Sequence, residues 1–378
     1  MRITPAMKTL SLSILMWGAA ALATSPKVAH TENTPNAAHI QIALLLDTSG
    51  SMNGLIDQAR SHLWKIVNTM ARAKRHGQAP YLEVALFEYG NSGLSANDGY
   101  IRRIQPLTAD LDAISESLFA LSTNGGDEYC GQVIQQALQL KWSPRTDIYK
   151  AIFIAGNEPF NQGSVDFRQV CKSSISKSIV VNTIFCGNEG EGIQTFWKEG
   201  ADLADGSYTT IDQNQRVAQI SAPQDKKILE LGRKLNETYV AYGRTGAAAR
   251  TRQKREDSNA ARISEEVAVE RTVTKASAVY KPSKWDLVDA DSAGEVSAAE
   301  LDAEELPEPM RDMSADERKT YLKDKAEARK KLQAQINELQ QERGEYLQKQ
   351  RKNQTNTLDA AMLEAIRTQM QRKGFRFQ

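Results

Sequence analysis

Residues 40–52 read IQIALLLDTSGSM. An apolar run that ends in an aspartate is typical of a central strand in a parallel sheet, because both faces of such a strand are buried. The apolar residues that follow recur every three or four positions, which predicts an amphipathic helix with a buried face of Ile56, Ala59, Leu63, Ile66 and Met70. The stretch therefore predicts a buried strand, a polar loop and a helix.

Further apolar stretches after this unit read as strands, with helical segments between most of them. They are YLEVALFEYG (81–90), YIRRIQPLT (100–108), KAIFIAG (150–156), SIVVNTIFCG (178–187) and SYTTID (207–212). The first two are joined by the turn-rich residues 91–99, which predicts a hairpin. The pattern predicts a doubly wound α/β domain over residues 39–222, with a mostly parallel, six-stranded, Rossmann-like sheet.

The composition changes after the α/β pattern. Residues 223–285 are predicted to be a helix and a linker, and residues 286–313 an acidic linker, since residues 286–308 contain no Lys or Arg. Residues 314–378 are predicted to be a helical or coiled-coil tail, which begins at a Ser314–Glu317 capping box. A thin apolar stripe crosses this tail and is interrupted by Arg343; it comprises Leu332, Ile336, Leu339 and Tyr346. A short coiled coil and a helical hairpin that folds back onto the α/β domain both fit this stripe.

The first 23 residues have the features of a secretory signal peptide. Arg2 and Lys8 precede an apolar stretch from Leu10 to Ala23, which ends in a small-x-small cleavage pattern. A membrane anchor is the alternative, but the stretch is shorter than the roughly 20 residues that a spanning helix needs. Residues 24–38 are predicted to be a flexible leader. We therefore expect a periplasmic or secreted protein without a stable membrane span.

Cys130, Cys171 and Cys186 permit one disulfide in an exported protein. The sequence does not pair them. If Cys130 and Cys171 lie on neighbouring helices, they are the favoured pair, and Cys186 is then a free thiol.

Charge and histidine content argue against two classes of function. Lys and Arg number 48 and Asp and Glu 47, so the net charge of +1 gives no reason to expect a nucleic-acid partner. The 4 histidines show no metal-ligand spacing and offer no base for a nucleophile, so we do not expect an enzyme.

The loop after the first strand carries the sharpest functional signal. Asp47, Ser49 and Ser51 form a D-x-S-x-S pattern at the carboxyl end of a buried strand, and open α/β sheets bind ligands at that edge. A carboxylate and two hydroxyls are suitable ligands for a hard cation such as Mg²⁺, with Ca²⁺ or Mn²⁺ as alternatives.

Residues 40–215, with this loop, resemble a von Willebrand factor A-type (VWA) domain, the fold that carries the metal-ion-dependent adhesion site. That family usually adds a Thr from a second, Gly-rich loop and an Asp after the fourth strand. In NGGDEYCG, Asp127 stands where the Thr is expected. In IFIAGNEP, Gly156 stands where the Asp is expected, and Glu158 follows. The resemblance therefore implies Asp127 as a second acidic ligand, with Glu158 and Thr123 as further candidates, or else a degenerate site.

The phrases GGDEYCG, IFIAGNEPF and NTIFCGNEGEGI are also similar to those of exported bacterial VWA proteins with a helical C-terminal region. This resemblance implies a metal-dependent binding module whose cation is completed by an acidic group of a partner protein, with self-association through the tail as a further expectation. The alternative is a metal-independent scaffold whose helical tail makes the main partner contact.

Overall fold

The computed structural model describes residues 38–212, 214, 220–350 and 358–377. The predicted signal peptide (1–23) and the predicted leader (24–38), apart from Ala38, lie outside these residues. Within the described ranges, no helix is long and apolar enough to cross a membrane.

The strands of the described chain are β1 His39–Asp47, β2 Ala73–Lys74, β3 Tyr81–Tyr89, β4 Ile101–Thr108, β5 Tyr149–Gly156, β6 Val180–Cys186, β7 Tyr208–Ile211 and β8 Arg376–Phe377. The α-helices are α1 Asn53–Ala71, α2 Leu111–Ala120, α3 Cys130–Ala137, α4 Phe167–Ser176, α5 Glu189–Gln194, α6 Trp197–Asp202, α7 Asp225–Asn236, α8 Gly243–Ile263, α9 Glu265–Ala276, α10 Leu287–Ser292, α11 Ala315–Gln350 and α12 Leu358–Arg372.

The main sheet has six strands in the order β4-β3-β1-β5-β6-β7. All neighbours in it are parallel except β3 and β4, which form the predicted hairpin. The predicted doubly wound α/β fold, with a helical region after it, is therefore confirmed. Because β3 and β5 flank β1 on opposite sides, the loops after these strands diverge and leave a crevice at Asp47.

Alternate residues of β1 point into two separate cores, as the two-residue period of a strand requires. Ile40, Ile42, Leu44 and Leu46 pack with α1, α2 and α12 on one face. Ala43 and Leu45 pack with α3, α4 and the α6 residue Trp197 on the other. Every residue of β1 is buried, which confirms the prediction of a central strand.

The C-terminal helix α12 belongs to the α/β core and not to a separate tail. Its residues Leu358, Met362, Ile366 and Met370 share the core that α1 forms with the sheet, and it contacts β5, β6 and β7. After it, β8 pairs antiparallel with β2. The predicted domain limit at residue 222 is therefore too early, because an amphipathic helix far along the chain covers this side of the sheet.

The predicted linkers also fold. Helices α7, α9 and α11 share a third apolar core that includes Ile228, Val269 and Ile336. The segment predicted as an acidic linker (286–313) contains α10, and its apolar residues pack against Leu322 of α11. Its Asp286 accepts a hydrogen bond from the Arg329 guanidinium at 2.6 Å, so its charge is used internally.

All three cysteines are buried free thiols, and the predicted Cys130–Cys171 disulfide is not formed. Helices α3 and α4 do pack together, but the Cys130 Sγ lies against the Tyr89 hydroxyl at 3.9 Å. Burial raises the pKa of Cys171 to about 12, so this thiol is a poor nucleophile at neutral pH.

The place of α12 in the core predicts a measurable cost for a small truncation. Ile366 is fully buried, so we expect Ile366→Val to lower the free energy of unfolding by about 1 kcal/mol. The matched control is Ile175→Val on α4, which is 42% exposed and should cost less than about 0.5 kcal/mol. Urea unfolding measures the free energy of unfolding of both variants. Equal and negligible losses would mean that α12 does not unfold cooperatively with the α/β core.

Candidate functional site

The candidate site lies where β1, β3 and β5 end at the carboxyl edge of the sheet. Asp47 is the last residue of β1, and its register partner Tyr89 is the last of β3. A turn follows, in which the Met52 backbone N–H donates to the Ser49 carbonyl at 3.1 Å, and α1 begins at Asn53. The strand thus ends in a tight loop whose short polar side chains lie close together.

Asp47 is fully buried, and only one of its two carboxylate oxygens accepts a hydrogen bond. Its Oδ1 accepts a hydrogen bond from the Ser49 backbone N–H at 2.7 Å. Its Oδ2 is buried and has no hydrogen-bond partner. A buried carboxylate oxygen without a partner is costly, so it calls for an explanation.

Two hydroxyls and an amide lie beside this carboxylate. The Ser49 and Ser51 Oγ atoms are 3.4 Å apart, and the Asn157 Nδ2 donates to the Ser51 Oγ at 3.3 Å. The Asn157 Oδ1 is a second buried oxygen without a hydrogen-bond partner. Asn157 follows β5 directly, and its position at the same sheet edge was the only sequence signal for it.

The Gly-rich loop between α2 and α3 places a different acid at the site from the one predicted. Asp127 is exposed, and its Oδ2 accepts a hydrogen bond from the Tyr129 hydroxyl at 3.0 Å. Glu128 is 5% exposed and lies on the Asp47 side of the loop. In an extended loop, neighbouring side chains point in opposite directions, so the sequence did not show which of the two acids faces inward.

Glycines keep the space around these carboxylates open. A Cβ at Gly90 would lie 2.9 Å from the Asp47 Oδ1 and 2.6 Å from the Glu128 Cγ, and Gly90 has a φ of +77°. A Cβ at Gly156 would lie 3.0 Å from the Asp47 Oδ2 and 2.5 Å from the Tyr89 hydroxyl. An Asp in place of Gly156 would therefore require Tyr89 to move.

The other two candidates lie at the rim. The Glu158 Oε2 accepts a hydrogen bond from the Gln162 side chain at 3.2 Å. The Thr123 hydroxyl donates to the Asn53 Oδ1 at 2.6 Å and so connects the Gly-rich loop to the start of α1. The structure thus brings five polar residues together, namely Asp47, Ser49, Ser51, Glu128 and Asn157. Three further candidates lie around them, namely Asp127, Glu158 and Thr123. Metal ligation by any of these residues stays a prediction.

The acidic groups of the site resist ionisation. Burial raises the pKa of Asp47 to about 7, against the opposite effect of Ser49 and of the Asn157 backbone, and the charge of Glu158 adds to the increase. Burial also raises the pKa of Glu128 to about 8, with repulsion from Asp47 and Glu158. Carboxyl groups that lie close together disfavour each other's charge, and a nearby cation would reverse the effect.

The sequence matches no protein-family model and no sequence among the curated proteins. Solved structures similar to the chain include the conserved hypothetical protein BatB from Bacteroides thetaiotaomicron, at 16% identity and a TM-score of 0.35, over 46% of this chain and 90% of that one. The SpRpn10 VWA domain matches at 16% identity and a TM-score of 0.35, over 47% and 90%.

A third similar structure is proximal thread matrix protein 1 from the mussel byssus with a zinc-occupied MIDAS motif, at 16% identity and a TM-score of 0.35. The match covers 46% of this chain and only 42% of the mussel protein. Similarities at these identities and scores show no function for this chain.

The donor set suits a hard divalent cation. The Asp47 and Glu128 carboxylates, the Ser49 and Ser51 hydroxyls and the Asn157 amide oxygen share this edge of the sheet, and Mg²⁺, Mn²⁺ and Ca²⁺ prefer oxygen ligands. In the part of the chain that the structure describes, no three His, Cys, Asp or Glu side chains could hold a metal ion. Hydroxyl or amide oxygens would therefore have to be part of any cation site here.

The pKa of Asp47 predicts how the stability of the metal-free protein depends on pH. A folded-state pKa of about 7, above the ordinary value of 3.8, means that the native state binds the proton more tightly than the unfolded state does. Glu128, with a pKa of about 8, makes a separate contribution of the same sign. The contribution of Asp47 to stability should fall as pH rises from about 4 to about 7, by at most about 1.4 kcal/mol per pH unit, and change no further above that.

Asp47→Asn should remove this loss and be more stable than the parent at pH 8 by at least about 1 kcal/mol. Urea unfolding in a chelator, from pH 4 to pH 8, measures the difference. Asp57→Asn on α1 is the matched control, because its side chain is 73% exposed. Parallel curves for the parent and Asp47→Asn would contradict the prediction.

Proposed function

We propose that this chain is an exported, divalent-cation-dependent protein-binding module, and not an enzyme. The observation that carries the proposal is the Asp47 Oδ2, which is buried without a hydrogen-bond partner at the carboxyl edge of the sheet. A cation next to this oxygen would supply the missing interaction. Ser49, Ser51, Glu128 and Asn157 would supply further oxygens.

Charge balance supports a divalent ion. Asp47 and Glu128 together carry two negative charges when ionised, which a 2+ ion neutralises. Without the ion, the raised pKa values of both groups show how unfavourable their charged forms are. A bound cation is the largest charge in such a site and lowers the pKa of the acids beside it.

The partner is proposed to be a protein that offers an oxygen ligand. Mg²⁺ usually keeps water positions in its shell, so a side chain of another protein can complete the coordination. The carboxylate that the VWA resemblance implies is the expected ligand. We propose Mg²⁺ as the ion, with Ca²⁺ and Mn²⁺ as alternatives.

A catalytic role has little support from the placement of the histidines. Of those that the structure describes, His39 begins β1 at the opposite edge of the sheet, and His62 lies within α1. His76 follows β2, beyond the far end of α1. No histidine among these residues is therefore placed to activate a nucleophile near Asp47.

In the scaffold alternative, the helical tail makes the main partner contact of a metal-independent protein. Ile336 is fully buried in the core that α11 forms with α7 and α9, and Leu332 and Leu339 pack against it. Three of the four residues of the apolar stripe therefore pack within the chain. Export to the periplasm or beyond stays a proposal that is supported by the sequence of residues 1–23.

The proposal is tested by capture with the full mature chain. The immobilised protein is exposed to an envelope extract of the organism that makes it, with Mg²⁺ or with a chelator. We expect one or more proteins to be retained by the parent and by Asp57→Asn in Mg²⁺, and to be released by the chelator. Asp47→Asn should retain none of them. The proposal would be overturned if the parent retained the same proteins in chelator and Asp47→Asn retained them as well.

A further inference from the structure

Two basic segments, separated by nearly the whole chain, meet at the end of α1 that is remote from Asp47. Residues 71–78 read ARAKRHGQ and residues 371–377 read QRKGFRF, and neither contains an acid. The antiparallel pairing of β2 with β8 joins them, with Lys74 opposite Arg376. Since α1 has 19 residues at 1.5 Å each, this end lies about 28 Å from the Ser49–Ser51 loop.

Beside this pairing lies an open surface pocket of about 460 Å³ that is lined by Lys74, His76, Gly77, Gly374 and Arg376. Its lining therefore consists of basic side chains and glycines. The space around Gly77 is free, since a Cβ there would meet no atom within 4 Å.

The charges of the pocket are not cancelled within the described ranges. No ion pair there involves Lys74, His76 or Arg376. The nearby Arg75 does have an acidic partner, because its Nη1 donates to the Asp147 Oδ2 at 2.9 Å. Lys373, in the same segment as Arg376, donates to a neutral partner, the Thr146 carbonyl, at 2.9 Å.

A tight turn carries His76 to the pocket. Arg75 and Gln78 exchange two backbone hydrogen bonds, of 3.1 and 3.0 Å, and His76 and Gly77 between them have φ values of +51° and +78°. These are the positive φ values of a two-residue hairpin turn. The turn places His76 at the pocket between the two basic segments.

We propose that this pocket binds a phosphate-bearing anion. An Arg guanidinium can hold two phosphate oxygens at once, and a Lys ammonium acts beside it as a point charge. The phosphate can belong to a free anion or to a lipid headgroup. The site is independent of the proposed cation site, since it lies at the other end of α1.

The test uses the full mature chain and two probes. Pyrophosphate binding is followed by phosphorus NMR, and membrane binding by co-sedimentation with phosphatidylglycerol vesicles against phosphatidylcholine vesicles. We expect binding to at least one phosphate probe, with weaker binding in high salt. Pyrophosphate binding without a preference for phosphatidylglycerol identifies a small anion as the ligand. Binding to phosphatidylglycerol vesicles alone identifies a lipid headgroup.

The variant is Lys74→Gln with Arg376→Gln, which leaves the backbone pairing of β2 and β8 intact. We expect it to bind about twenty-five times more weakly, since each basic side chain near an anionic surface contributes roughly a factor of five. Lys330→Gln with Lys331→Gln is the control, because both lysines are exposed on α11 and the loss of charge is the same. Equal weakening in the control, or no binding of either probe by the parent, would overturn the proposal.

Discussion

Arg343→Met is expected to lower the free energy of unfolding by about 3–5 kcal/mol at pH 7, the usual cost of removing one partner from a buried ion pair. Arg343 is 1% exposed in the middle of the long helix α11. Its Nε donates to the Asp225 Oδ1 of α7 at 2.6 Å, and its Nη1 to the Glu270 Oε1 of α9 at 2.7 Å. Without the guanidinium, both buried carboxylates lose their neutralising charge.

The network reaches the α/β domain, which is why the effect should be global. The other oxygen of Glu270 accepts a hydrogen bond from the Asn68 Nδ2 of α1 at 2.7 Å. Burial opposes the ionisation of Glu270, but Arg343 and Asn68 outweigh it and hold the pKa of this carboxyl below its usual range. A single guanidinium therefore connects α11 to α7 through Asp225. Through Glu270 and Asn68 it also connects α11 to α1, the helix that begins at the candidate site.

Urea unfolding of the parent, Arg343→Met and the control Lys330→Met measures this cost. Lys330 is exposed on the same helix, so its variant should stay within about 0.5 kcal/mol of the parent. Arg343 lowers the pKa of Glu270 in the parent, so in Arg343→Met this buried carboxyl should take up a proton as the pH falls. The difference from the parent should then shrink toward pH 4. A pH-independent loss of about 1 kcal/mol or less would show that Arg343 contributes packing and not charge.

The sequence predicted the sheet well because each of its central strands is buried on both faces. The run from Ile40 to Leu46 is apolar at nearly every position, which few structures other than a covered parallel strand require. The helix α1 was equally clear, because its apolar residues recur every three or four positions. These patterns did not predict the order of the strands in the sheet, which only the structure shows.

The role of the C-terminal region was harder to predict, because what it packs against lies far away in the sequence. Arg343 interrupts the apolar stripe of α11, and in a coiled coil it would be a defect. In the structure it is the residue that neutralises Asp225 and Glu270. Likewise, the apolar face of α12 shows that the helix is buried but not that it covers β5, β6 and β7.

At the site, the sequence located the loop but not the whole set of side chains. Asp47, Ser49 and Ser51 follow from one motif and one strand end. Whether Asp127 or Glu128 turns inward depends on how the Gly-rich loop packs, because a Cβ at Gly126 would lie 2.7 Å from the Gly90 carbonyl oxygen. Contacts between loops that are far apart in the chain are not encoded in a local pattern.

Addition of Mg²⁺, Mn²⁺ or Ca²⁺ to the metal-free protein is expected to raise its melting temperature. An ion that binds only the native state stabilises it by about 2.7 kcal/mol at one hundred times its Kd. The gain should be larger at pH 8 than at pH 6, because the ion needs Asp47 and Glu128 ionised, and their pKa values are about 7 and about 8 without it.

Three variants assign the effect to named atoms. Asp47→Asn and Glu128→Gln should each lose most of the shift, whereas Asp127→Asn should keep it, since Asp127 is exposed and its Oδ2 accepts a hydrogen bond from Tyr129. If Asp127→Asn lost the shift and Glu128→Gln kept it, Asp127 would be the second acidic ligand, as the VWA resemblance implies. No shift with any ion at pH 8 would mean that the site, with Gly156 in place of an acid, does not bind a cation. The edge around Asp47 would then need another ligand to account for its buried oxygen.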